Sequence, residues 1–174
     1  GYIVYQQTAG TGSSNCNIVC QLDGSNDGPV CPGGSVNLFV TDVPGATYSW
    51  TGPNCFTSTQ QNPTTVFPPS IPGQYVYFVT ANAPNGTICY DTTLVTVLTP
   101  PDLGLDATVQ ICAGSTTDLT TIYNTTGLTT TWTFGGGPVS NPTAVSEAGI
   151  YQLSVINSSG CFDTAIVTVE TFLI

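Results

Sequence analysis

Apolar and polar residues alternate with a period of two along much of this chain. In "QYVYFV" (Gln74 to Val79) the alternation puts Tyr75, Tyr77 and Val79 on one face, and in "IYQLSV" (Ile150 to Val155) it puts Tyr151, Leu153 and Val155 on one face. That is the pattern of half-buried β-strands. Each stretch is followed by a second apolar run, carrying Leu94, Val95 and Val97 in one case and Ile166, Val167 and Val169 in the other. Glycine and proline clusters at "PGG", "APNG", "GGGP" and "EAG" supply turns between such strands. No window carries a 3.6-residue apolar period, so helix is expected to be nearly absent. The rhythm predicts an all-β protein of two antiparallel sandwiches, each of roughly 70 to 80 residues.

The pattern is written twice. "GTICYDTTLVTV" (Gly86 to Val97) is a near copy of "SSGCFDTAIVTV" (Ser158 to Val169), and four further landmarks recur in the same order. Cys31 in "VCPGGSVNL" matches Cys112 in "ICAGSTTDL", Trp50 matches Trp132, Pro63 matches Pro142, and Tyr75 matches Tyr151. The offset falls from 81 at the first cysteine pair to 72 at the pair Cys89 and Cys161, as duplicated modules with loop deletions require. The expected organisation is a strand segment over residues 1–29, a first repeat over 30–98 and a second over 99–174. "LTPPDLGLDATV" forms the proline-stiffened link between the repeats. "GYIVYQQ" in the first segment reads as a strand that is either the tail of a truncated repeat or a strand offered to another subunit.

Composition then removes most functions. The chain has no Lys, Arg or His, ten acidic residues and a formal charge of -10. Nucleic acid and anionic membranes are held chiefly by Lys and Arg, so neither is an expected partner. Imidazole and amine chemistry are absent, which takes away the commonest general bases and metal ligands. The acids are scattered, and there is no phosphate loop and no nucleophile elbow, so neither an enzyme nor a cofactor is expected. With 40% hydrophobic and 10% aromatic residues, the low charge does not read as disorder. No apolar run approaches the roughly 20 residues of a membrane span. No basic segment precedes an apolar one, so the expectation is a leader removed before Gly1 or an excerpt of a longer protein.

Seven cysteines without a CxxC pair predict disulfides and an extracellular, oxidising location. The simplest pairing joins Cys31 to Cys89 and Cys112 to Cys161. Against it, if each repeat is a seven-stranded sandwich, the relevant turns lie at opposite ends, and Cys31 would sit nearer Cys161 of the next module. Cys16, Cys20 and Cys55 remain, with one of the first two expected to bond Cys55, so that at most one thiol is left free. Trp50 and Trp132 invite stacking on sugars, but their shared landmark position places them in the core. Asp102 and Asp106 are weak candidates for calcium, since two carboxylates are few for such a site and a turn-forming pair fits them better.

"DLGLDATVQICAG", then a "TxTW" strand, "GxYxxxV" and "GC" before a last strand resemble the Ig-like, PKD-like repeats of large secreted adhesins of Bacteroidota, including gliding-motility-associated surface proteins. The resemblance covers residues 102–170 and, less closely, 30–97. It implies a cell-surface stalk or adhesin module exported by type IX secretion, with other copies or neighbouring modules and surface glycans as partners. It also implies O-glycosylation at Thr92 and Thr164, each preceded by Asp at one repeat position. Asn85, Asn124 and Asn157 begin N-x-[ST] sequons that matter only in a host with eukaryotic machinery. Two other readings stand beside the adhesin: a filament subunit completed by β-strand addition, and a carbohydrate-binding module of a secreted hydrolase.

Overall fold

A computed structural model describes residues 21–172. The chain divides between Leu98 and Thr99 into two compact units. The first unit contains β1 (Gly24–Asn26), β2 (Leu38–Val40), β3 (Thr47–Gly52), β4 (Phe56–Ser58), β5 (Gly73–Asn82) and β6 (Ile88–Val97). β4, β3, β5 and β6 form one antiparallel sheet in that order, and β1 pairs with β2 in the facing layer. Alternation drives this arrangement. Tyr77 and Val79 of β5, Trp50 of β3 and Val95 of β6 point inward and are buried, meeting Val36, Leu38, Val40 and Val66 from the other layer.

The second unit contains β7 (Ala107–Cys112), β8 (Thr129–Phe134), β9 (Gly137–Pro138), β10 (Gly149–Ile156) and β11 (Phe162–Phe172), in the sheet order β7, β11, β10, β8, β9. Its core gathers Trp132, Tyr151, Leu153, Val155, Val167 and Val169 against Leu119 and Val145. A single 3-10 turn, Leu119–Thr121, is the helical structure among the described residues, and it is capped by Asp118. Leu119 matches Leu38, which lies in a strand, so the two units differ here. The Asp118 carboxylate accepts from the amide and the hydroxyl of Thr120, a local bond that competes with strand pairing.

Equivalent sequence positions make equivalent backbone bonds. Val36 and Val66 exchange two hydrogen bonds in the first unit, and Thr117 and Val145 do so in the second. The Leu38 amide donates to the Pro63 carbonyl, and the Leu119 amide to the Pro142 carbonyl. Tyr75 donates its hydroxyl to the Ile71 carbonyl at 2.7 Å, and Tyr151 to the Glu147 carbonyl at 2.9 Å. A tyrosine at a strand corner bonded to the backbone a few residues upstream is a mark of Ig-like sandwiches. The last strand of each unit also takes a parallel partner, a lone bridge from Val30 to Val97 in the first and all of β7 along β11 in the second. The wholly antiparallel arrangement expected from the sequence is corrected to this extent. Each unit is an Ig-like β-sandwich.

Hairpin chemistry is duplicated as well. Gly86 and Gly160 both have φ near +80°, where a side chain would be strained. Asn85 accepts from the Thr87 amide and Asn157 from the Ser159 and Cys161 amides. Their side chains hold the turns between the paired strands.

Candidate functional site

In the first unit the outward positions of β5 and β6 form a face of Val76, Phe78, Ile88, Tyr90, Thr92 and Leu94. The register sets Val76 opposite Leu94, Phe78 opposite Thr92, Thr80 opposite Tyr90 and Asn82 opposite Ile88. Tyr90 is 71% exposed and Phe78 54%. β3 extends the face with exposed Thr47, Ser49 and Thr51. No acid lies among these outward positions, because Asp91 alternates inward. The second unit repeats the layout: Ile156 lies opposite Phe162, Ser154 opposite Thr164 and Gln152 opposite Ile166, with Thr129, Thr131 and Thr133 alongside on β8.

Thr92 and Thr164 are therefore both exposed at mid-strand on their sheets' outer faces, Thr92 on the edge strand β6 and Thr164 on β11. The aspartates before them have a structural task that their repetition in the sequence did not reveal. The Asp91 carboxylate accepts from the Gly24 amide, and the Asp163 carboxylate from the Leu103 amide at 2.8 Å. Each ties the segment entering its unit to the last strand through a charged acceptor, the stronger kind of hydrogen bond.

Asp102 accepts from the Gly104 amide at 2.9 Å, and Asp106 from the Ile166 amide at 2.7 Å. Both carboxylates are thus engaged by backbone at a turn and at the start of the β7 and β11 pairing. Among the described residues no group of three His, Cys, Asp or Glu gathers as a metal site. Asn124, the third sequon asparagine, accepts from the Thr126 amide.

The tryptophans are inside. Trp50 is fully buried and donates its indole N–H to the Gln61 carbonyl at 3.0 Å, and Trp132 on β8 is buried in the second unit's core. Neither can stack on a sugar. An open groove of about 540 Å³ runs beside β4, lined by Ser49, Phe56, Thr57, Ser58, Gln60 and Thr64, all uncharged.

Cysteine chemistry corrects part of the expected scheme. Cys31, Cys89 and Cys161 are disulfide-bonded. Cys55 and Cys112 are exposed and free, so the pairing of Cys112 with Cys161 and the bridge to Cys55 are not formed. Two free thiols also exceed the one expected. Cys112 ends β7 with its side chain on the outer, solvated face, opposite Phe172. Cys55 sits in a turn where it and Asn54 both have φ near +55°. Cys16, Cys20 and the "GYIVYQQ" strand lie outside the described residues.

The resolved shifts in acidity follow packing. Burial raises Tyr77, whose hydroxyl finds no partner within the core. Burial also raises Tyr48, partly offset by its acceptance from the Val43 amide, and the neighbouring Asp42 raises it further. The Asn37 backbone amide lowers Asp27.

No family model matches the chain, and no curated protein does. Among solved structures it is similar to murine CEACAM1b, at 14% identity over 87% of this chain and 100% of that one, with a TM-score of 0.36. It is also similar to the insect immune protein hemolin, at 13% identity over 84% of this chain and 45% of that one, TM-score 0.44. A third is the Bacteroides ovatus glucan-locus protein SGBP-B in complex with a mixed-linkage heptasaccharide, at 15% identity over 81% of this chain and 42% of that one, TM-score 0.32. The chain spans less than half the length of the last two. At these values the likenesses carry no functional argument, and the Ig-like class rests on the strand order and the tyrosine corners.

Proposed function

We propose that this chain is a non-enzymatic, extracellular structural or adhesive protein made of tandem Ig-like repeats, one taking in β1 to β6 up to Leu98 and the other running from Thr99, belonging to a bacterial cell-surface stalk or adhesin of the Bacteroidota kind. One observation carries the reading. The outer sheet face of the first unit exposes Val76, Phe78, Ile88, Tyr90 and Leu94 together with threonines and no charge, in a chain of net charge -10. Exposed apolar patches of this kind mark contact surfaces more often than catalytic ones. The disulfide-bonded cysteines support an oxidising location, and export by the type IX route with glycans on Thr92 and Thr164 belongs to the same proposal. Among the described residues no helix is long and apolar enough to cross a membrane.

Antibody labelling of intact producing cells, with and without surface proteolysis, tests the location. Loss of attachment by cells carrying Phe78→Ser and Tyr90→Ser would support the adhesive role. A chain found only inside cells, or unchanged attachment with the double variant displayed at normal levels, would overturn it. The filament reading is kept because, among the described residues, the outer edge of β7 has no strand partner.

A further inference from the structure

The edge strands of the two units are protected unequally. β4 has three residues and β9 two, too short to template a partner. The edge of β6 is overlain, since Asn26 donates to the Thr93 hydroxyl and the Leu94 carbonyl, and Val30 bridges Val97. β7, with the sequence Ala-Thr-Val-Gln-Ile-Cys, pairs among the described residues with β11 on one side only. It has six residues and no charge, proline or glycine, so none of the usual guards against strand addition is present. Its inward row is also incompletely covered: Ile111 is buried, but Ala107 and Val109 are only half-buried, and Leu105 just ahead of the strand is 91% exposed. Of the neighbouring carboxylates, Asp106 is drawn to the Ile166 amide of β11, and Glu170 of β11 accepts from the Gln110 side chain on the outer face, where that amide caps its charge.

We infer that the open edge of β7 receives a strand from a second copy of this chain, supplied by Gly1 to Gln7, "GYIVYQQ". The inference rests on the filament reading above. Charge decides the occupant. In a molecule without a single cationic side chain, two copies gain no side-chain salt bridge, so they join best where both surfaces are neutral. β7 and "GYIVYQQ" are both uncharged. The segment's alternation presents Tyr2 and Val4 on one side and Ile3 and Tyr5 on the other, so either set can cover Ala107 and Val109 while the opposite set joins the outer sheet face. The thirteen residues between Gln7 and Gln21 span about 40 Å when extended, enough to reach a neighbouring molecule.

Hydrogen exchange by mass spectrometry on the full chain, digested with pepsin, tests this across a concentration series with size measured in parallel. The expected result is assembly with concentration together with at least about tenfold slower exchange of the amides of residues 107–112. Excess synthetic GYIVYQQ peptide should shorten the assemblies while keeping those amides protected, and the full chain with Ile3→Lys and Tyr5→Lys should stay monomeric with its fold intact. Assembly that leaves residues 107–112 unprotected would overturn β7 as the receiving edge while leaving the filament reading in place. Protection independent of concentration would mean that the strand comes from the same chain, which overturns the second copy. No assembly at any concentration and no protection by the peptide would overturn both.

Discussion

Tyr77 offers a direct test of how the first unit's core is built. Its side chain is fully buried, edge-on to Phe56 with ring centroids 5.5 Å apart, and a Cβ added at Gly52 would meet its ring. Its hydroxyl has no hydrogen-bond partner. A buried polar group left unpaired costs about 1 to 3 kcal/mol. Tyr77→Phe removes that oxygen and keeps the ring, so unit 1 should gain about 1 kcal/mol, or about 5 °C in Tm for a unit of this size. The second unit has Leu153, with no hydroxyl, two residues beyond the matching corner tyrosine. Differential scanning calorimetry of the full chain reads the result in one transition. Tyr75→Phe is the control with the opposite sign, because it deletes a made bond to the Ile71 carbonyl. A Tyr77→Phe variant destabilised by 1 kcal/mol or more, on the order of a made hydrogen bond, would refute the reasoning and place an ordered water on that hydroxyl.

Tyr151→Phe, which loses the bond to the Glu147 carbonyl, should lower the second unit's stability by about 1 kcal/mol, read by chemical denaturation, and an unchanged midpoint would count against the corner. Asp163→Ala leaves the Leu103 amide without its charged acceptor and should cost about 1.5 to 3 kcal/mol, with Asp163→Asn retaining part of it. The Asp27 carboxyl lies below its ordinary 3.8 in the folded chain, held there by the Asn37 amide. Its contribution is therefore complete above about pH 4 and lost as the pH falls through the folded value, and Asp27→Asn should flatten the acid limb of a stability-versus-pH curve. In native unreduced protein Cys55 and Cys112 should alkylate, while Cys31, Cys89 and Cys161 should react only after reduction.

What the sequence made legible was whatever depends on alternation and turn chemistry. The inward sets at Tyr75 to Val79 and Tyr151 to Val155, the buried tryptophans and the hairpin glycines need only local spacing. What it hid depends on long-range meetings. Nothing near Ala107 announces a parallel partner sixty residues later, and a reading based on turns favours antiparallel neighbours. The 3-10 turn at Leu119 was masked by its match to Leu38: where Phe39 and Val40 follow Leu38, Thr120 and Thr121 follow Leu119, and both of these threonines bond back to Asp118. The pairing of Cys112 was misread since repeat position was used as a guide to bonding, whereas Cys112 at the end of β7 projects onto the solvated face.

Asp91 and Asp163 show why position in a repeat can carry two meanings at once. A short motif of Asp followed by Thr at the same place in both copies reads as a modification signal. The alternation of the last strand, however, sends the Asp inward to an amide of the entering segment and the Thr outward to solvent. The two residues are neighbours in sequence on opposite sides of the sheet, so the packing that retains the Asp leaves the Thr free to vary or to be modified. Structural need accounts for the aspartates in full. It places no demand on Thr92 and Thr164, whose exposure on each outer face is the feature a transferase would require.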